Sequence, residues 1–286
     1  MSTLAGRVTR ARDVWQRRAW RVALPAMALG AIAAAGQVRG PGLTVTVSPD
    51  QPARYRWEES TLVHPAGWRE FYFTRAVYNS GGRRFRRQAW ATDYPKADRQ
   101  FLTVLTRLID IDAYDRENAV RLDDPQLRRF PFLYALEVGD MALTDEELTG
   151  LRSYLDAGGF LMIDDFWGSW QWANFESEMR RLFPDRPIID VPLDHPIFHM
   201  VYNITEIVQV PAVNRAWDGG PTWEQDGYVP AVRGIFDDDG RLMVGINWNT
   251  DLGDAWEWAE DPYYALEYST FAFEIGVNFV VYAMSH

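Results

Sequence analysis

The stretch Thr144 to Gly168 constrains the fold of this 286-residue chain more than any other. Thr144-Asp145-Glu146-Glu147 has the form of a capping box, in which the Thr144 hydroxyl accepts from the Glu147 amide while Glu147 reaches back. Leu148, Leu151, Tyr154 and Leu155 recur at helical spacing, and Gly158-Gly159 stops the helix. Phe160-Leu161-Met162-Ile163 is uniformly apolar, as in a parallel strand covered on both faces. It runs into Asp164-Asp165-Phe166-Trp167-Gly168. Ligand sites of open α/β sheets lie beyond the carboxyl ends of strands, which makes this turn the place to look for function.

The flanking sequence extends the pattern. Glu70 to Thr74 reads as a first strand closed by Asn79-Ser80-Gly81-Gly82, and Lys96 to Ile109 as an amphipathic helix built on Phe101, Leu102, Leu105 and Leu108. Asp93-Tyr94-Pro95 sets the start of that helix. Pro131 to Val138 and Pro187 to Val191 read as strands, and Trp172 to Leu182 as a helix. Such alternation predicts a doubly wound, mostly parallel sheet. Ala231 to Phe236 and Arg241 to Ile246 flank Asp237-Asp238-Asp239-Gly240, a hairpin signal, and Tyr264 to Met284 reads as a closing helix.

Residues 1–35 form a separate segment. Six arginines against Asp13 give it a net charge of +5, so that the remainder carries −16 of the total −11. The apolar run Val22 to Ala35, ending Ala33-Ala34-Ala35, suits a signal-peptide core or signal anchor, and is short for a bilayer span. The expected location is therefore the periplasm or cell envelope, with membrane contact only through this segment. Residues 36–66 read as a linker with one edge strand near Leu43 to Val47, and residues 67–286 as one domain. A body this acidic disfavours nucleic acid, since phosphate contacts need a positive footprint.

The chemistry-bearing groups leave alternatives open. Asp164 and Asp165 are strand neighbours facing opposite ways, so that only one need face a pocket. If both converged at about 4 Å they would repel by about 4 kcal/mol at an effective dielectric near 20, creating an acid/base pair or inviting a cation. Otherwise, one caps the following helix. His195 and His199 have the spacing of two imidazoles on one helical face, but Pro196 places His195 at a helix entry instead. The arginines 83, 84, 86 and 87 could grip an anion, lie in solvent or cradle the chain's own acids. Asp251, Asp254, Glu257, Glu260 and Asp261 among Trp248, Trp256 and Trp258, with Trp167, Trp170 and Trp172 after the elbow, could hold a sugar, although tryptophans mostly fill cores. The carboxylate spacing matches no calcium loop. No phosphate loop, dinucleotide fingerprint or Gly-x-Ser-x-Gly elbow occurs, and neither a cofactor nor a metal ligand is assigned.

Helix, double glycine, apolar strand and sharp turn resemble the nucleophile segment of class I glutamine amidotransferase-like domains, with Asp165, or Asp164 after a one-residue slip, in the place of the catalytic cysteine. The chain contains no cysteine, which excludes thiolate chemistry. Phe73-Thr74-Arg75, Trp90 to Pro95, Arg121 to Pro125, Asp164-Asp165-Phe166, Asp194 to His199, Asp251-Leu252-Gly253 and Gly276-Val277-Asn278 together resemble a bacterial envelope family, domain of unknown function 4159. The resemblance spans roughly residues 69 to 284. It implies a flavodoxin-like or amidotransferase-like sheet with an added hairpin and closing helix, and company with AAA-type ATPases and von Willebrand factor A-like proteins. Candidate ligand contacts are Asp164, Asp165, Trp167, His195, Arg75, Asp251 and Trp256. The first expectation is a non-catalytic module binding a small polar ligand or an envelope protein partner. The alternative is a hydrolase on a sugar or other polar metabolite, using Asp164 or Asp165 with His195 or His199.

Overall fold

The computed structural model describes residues 38–40, 43–45, 55–57, 65, 67–81 and 88–286. The expected leader and the arginines 83, 84, 86 and 87 lie outside the described residues. Two units divide at residue 66. In the first, β1 (Val38–Gly40), β2 (Leu43–Val45) and β3 (Tyr55–Trp57) form a three-stranded antiparallel sheet, where sequence had suggested a linker with one strand.

The second unit is a seven-stranded α/β sheet. Its strands are β4 (Thr74–Val77), β5 (Asn118–Arg121), β6 (Phe132–Leu136), β7 (Phe160–Asp164), β8 (Ile189–Asp190), β9 (Ala231–Phe236) and β10 (Leu242–Trp248). They lie in the order β5-β4-β6-β7-β10-β9-β8. The five strands from β5 to β10 are parallel, and β9 and β8 add an antiparallel edge. Numbered by sequence, the parallel set reads 2-1-3-4-5, the flavodoxin-like order of a doubly wound sheet. Its helices are α1 (Lys96–Leu108), α2 (Asp145–Asp156), α3 (Gly168–Leu182), α4 (Val213–Asp218), α5 (Leu252–Glu257) and α6 (Leu266–Ala283). Helices α1, α5 and α6 pack together, as do α2 and α3.

The segment 144–168 forms as its residues dictate. Thr144 Oγ1 accepts from the Glu147 amide at 3.2 Å, and Glu147 Oε2 accepts from the Thr144 amide at 2.9 Å. Gly158 takes a left-handed φ of 101° to end α2. All five residues of β7 are buried, between β6 and β10 at the sheet centre.

Three expectations shift. The first strand begins at Thr74 rather than Glu70, because Phe71 makes only an isolated bridge to Ala113. Strand β5 has no counterpart in the sequence reading; Asn118-Ala119-Val120-Arg121 is too short and too polar at its ends to show an apolar run. The carboxyl-terminal hairpin is also more than an addition: β10 inserts beside β7 as the fifth parallel strand and carries β9 with it. Among the described residues no helix is long and apolar enough to cross a membrane.

Candidate functional site

Four adjacent parallel strands each release an acid beyond their carboxyl ends. Asp93 lies in the segment after β4, Glu137 directly after β6, Asp165 directly after β7 and Asp251 shortly after β10. The order switches between β4 and β6, where doubly wound sheets bind ligands. Asp93, Glu137 and Asp165 all hold left-handed backbones, with φ of 58°, 54° and 47°. Aspartate tolerates that region better than most residues, and at a sharp strand-to-helix turn it aims the side chain away from the strand's path. The turns are tied to each other: the Glu137 amide donates to Asp165 O at 2.9 Å, and the Asp165 amide to Thr250 O at 3.2 Å.

The two neighbouring aspartates divide in role. Asp164 is fully buried, and its Oδ2 accepts from Tyr134 Oη at 2.8 Å, Leu252 N at 2.9 Å and Gly253 N at 3.0 Å. It pins β7 to β6 and to the start of α5. Burial pushes its carboxyl up to about 7, against the pull of those donors. Asp165 turns the other way, and its Oδ1 accepts from the Trp167 indole at 3.0 Å.

Asp165 meets Asp93 and Asp251: one carboxylate oxygen from each lies within 4.8 Å of the other two. Asp93 is shared with a second group, in which oxygens of Asp93, Asp254 and Glu257 lie equally close. Asp165 and Asp251 are only 7% and 4% exposed. Asp251 Oδ1 caps α5 by accepting from the Asp254 amide at 2.8 Å, and Asp254 Oδ2 accepts from Val213 N at 2.6 Å. At such spacing each pair of ionised carboxylates repels by about 3–4 kcal/mol at an effective dielectric near 20. Burial, followed by the charge of the neighbouring acids, accordingly raises Asp93, Asp165 and Asp251 well above the usual carboxylate range. Glu257 rises to about 7, mainly through burial and then Asp254, with Lys96 opposing. Among the described residues no lysine or arginine bonds to Asp93, Asp165 or Asp251.

Arg75 is the nearest buried cation, and it is already committed. Fully buried, it pairs with Asp98 (Nη2–Oδ2 2.5 Å), donates to Thr92 O at 2.9 Å and lies 4.8 Å from the Tyr134 ring centroid. It holds the turn that carries Asp93 instead of offering donors to a ligand. Trp256 is also fully enclosed, against Phe73, Phe101 and Tyr134, and Trp167 is 2% exposed. Neither presents an open ring face to a sugar.

His195 lies toward the amino ends of the central strands, away from the acids. His195 packs on Phe236 and Tyr282, and Tyr282 accepts from the Leu242 amide at the start of β10. Asp165 follows the other end of the parallel neighbour β7, a five-residue strand on the order of 13 Å long. His195 caps a short 3₁₀ turn, Pro196–His199, its Nδ1 accepting from Ile197 N at 3.2 Å, as the proline predicted. His199 is bound locally, Nδ1 to Asn203 Oδ1 at 2.7 Å and Nε2 to Leu193 O at 2.8 Å. The structure thus brings Asp165 and Asp251 together, keeps Asp164, Arg75, Trp167 and Trp256 as supports, sets His195 apart from the acids and engages His199 with Asn203 and Leu193.

A family model described as Domain of unknown function (DUF4159) matches residues 73–284. The chain belongs to this family. No curated protein matches it. The DUF4159 match begins at β4 and ends with α6, so the family unit contains every strand and helix that builds the acidic site. Of that site, sequence reasoning had singled out Asp164, Asp165 and Asp251 as candidates. It placed Asp254 and Glu257 only in an acidic stretch, read Asp93 as a helix start and overlooked Glu137. The signal that could have found the last two is position: each is an acid in the segment leaving a strand of the parallel set.

Proposed function

We propose that this DUF4159 protein is a non-catalytic binding module that receives a small polar ligand at the carboxyl ends of its central strands. The carrying observation is the convergence of Asp93, Asp165 and Asp251, from three separate strand ends, in a largely buried group. Ionised carboxylates only accept hydrogen bonds, so the complementary ligand is rich in donors or positively charged. The position supports the same reading, because the group lies beyond the carboxyl ends of the parallel strands, where open α/β sheets bind ligands.

The hydrolase alternative has less support. An acid/base pair with His195 or His199 requires groups within hydrogen-bond reach of one substrate. His195 packs near the start of β10, the far end from Asp165, and both ring nitrogens of His199 are taken up by Asn203 and Leu193. What remains for it is the upward shift of the carboxyls, which a binding site for cations shares. Residues 1–35, basic then apolar, support export to the envelope; cell fractionation of the full chain tests that directly.

Thermal-shift measurement of the full chain against sugars, nucleotides, small amines and divalent ions tests the reading. A ligand that raises the melting temperature, and does so no longer in Asp165→Asn, is the expected result. Flat responses across the whole panel would turn attention to an envelope protein as the partner.

A further inference from the structure

We propose that Asp93, Asp165 and Asp251 bind a hard divalent cation of calcium's size, with Asp254 and Glu257 completing the negative surround. This rests on the reading of the acidic strand ends as a ligand site, and it names the ligand. Three observations carry it.

The first is geometric. Oxygens bind Ca²⁺ at roughly 2.3–2.6 Å, so two ligands of one ion lie at most about 5 Å apart. The three carboxylate oxygens fall inside that limit, all within 4.8 Å of one another. The second is an oxygen left without a partner. Asp93 as a residue is partly exposed, but its Oδ2 is sealed from solvent and accepts no hydrogen bond. A buried carboxylate oxygen with no donor normally loses several favourable contacts, and a coordinated cation supplies what the protein does not. Asp164, fully buried, has the same condition at Oδ1. The third is the donor set. Only carboxylates converge here, without imidazole or thiolate, which selects hard cations over zinc or copper. The chain's lack of cysteine and the position of His195 at the far end of the strands agree with that choice.

The supporting shell is built for stiffness. Asp251 and Asp254 each spend one oxygen on a backbone amide, and Asp165 spends one on the Trp167 indole. Those bonds fix the carboxylates in place without neutralising them.

The test uses the full chain, stripped with chelator and dialysed. Calorimetry and melting curves at pH 7.5 are recorded with CaCl₂, MgCl₂ and MnCl₂, and separately with the sugars, nucleotides and amines named above. Calcium is expected to bind once per chain and raise the melting temperature. Asp165→Asn and Asp251→Asn should each weaken binding by about tenfold or more, because each removes a charged ligand. Asparagine still suits the left-handed turn at 165 and the helix cap at 251, so both variants should fold. Each should also melt higher than the parent without metal, since one repulsive charge is gone; a purely structural aspartate would not give that rise. Glu267→Gln, on α6, serves as the charge-matched control and should leave binding unchanged.

Absence of a response to all three ions overturns the proposal, as does metal binding that survives Asp165→Asn and Asp251→Asn together. If the ions fail while an organic ligand responds in an Asp165-dependent way, this inference falls and the binding module stands. If neither responds, both fall.

Discussion

At the scale of single residues, adjacent aspartates of identical chemistry have been given opposite tasks by one backbone turn. Asp164 ends the strand in regular geometry and spends Oδ2 on three donors; Asp165 flips to φ 47° and faces the other acids. The left-handed backbone yields a prediction. Asp165→Asn and Asp165→Ala remove the same charge, but alanine lacks the local polar contacts that make this region tolerable. Urea denaturation without metal should find the alanine variant less stable than the asparagine variant by about 1 kcal/mol. Arg75 and Asp98 provide a sharper case. Asp98→Ala would leave a guanidinium with no exposed surface beside an empty position, at a cost of about 3–5 kcal/mol, while Arg75 kept its bonds to Thr92 and Trp90. The midpoint in urea should fall accordingly, and an unchanged midpoint would show the pair to be dispensable.

At the scale of elements, local sequence was most readable where chemistry and pattern coincide. The cap at Thr144, the Gly158 stop and the Pro196 entry each satisfy a specific backbone need, so helix α2 and the 3₁₀ turn at 196 appear where the residues announce them. Thr144→Ala should therefore cost about 1 kcal/mol of stability in chemical denaturation. Strand β5 and the site itself were less legible for the same physical reason. Four residues of edge strand bury too little to show a period, and the site is an assembly of strand ends separated by many residues. Asp93 and Glu137 mean little by themselves; their value comes from the order in which the strands pair, which no local pattern encodes. The histidines failed in the converse way. Their i, i+4 spacing is a local pattern, but Pro196 had already diverted it, and the topology then placed His195 at the other end of the strands from the acids.

At the scale of the whole molecule, the buried acids set how stability depends on pH. Asp164 and Glu257 rise to about 7, and Asp93, Asp165, Asp251 and Asp254 also move upward. The folded chain then binds more protons than the unfolded chain above pH about 4, so stability falls as pH rises through that window and beyond 7. Groups shifted the other way are few. Asp226 and Asp237, held low by hydrogen bonds to Ser169 and Arg241, favour the folded state above the acid range. His195, lowered mainly by burial, favours it as pH rises through 6.5. Melting temperatures of the metal-free chain should consequently decline between pH 5 and 8, and saturating calcium should flatten the decline. A rise over that range without metal would contradict the clustering of ionisable acids.

Strand β10 carries a consequence for how the protein comes into being. It enters the sheet next to a strand that precedes it by some eighty positions, and the loop it feeds supplies the last of the three aspartates. Pairings of that sequence separation close late, because the intervening chain must be confined first. A nascent or truncated chain ending before residue 242 would hold Asp93 and Asp165 yet lack the third corner. Ion capture would then mark completion of folding, and a polypeptide still threading toward its final shape would leave calcium in solution.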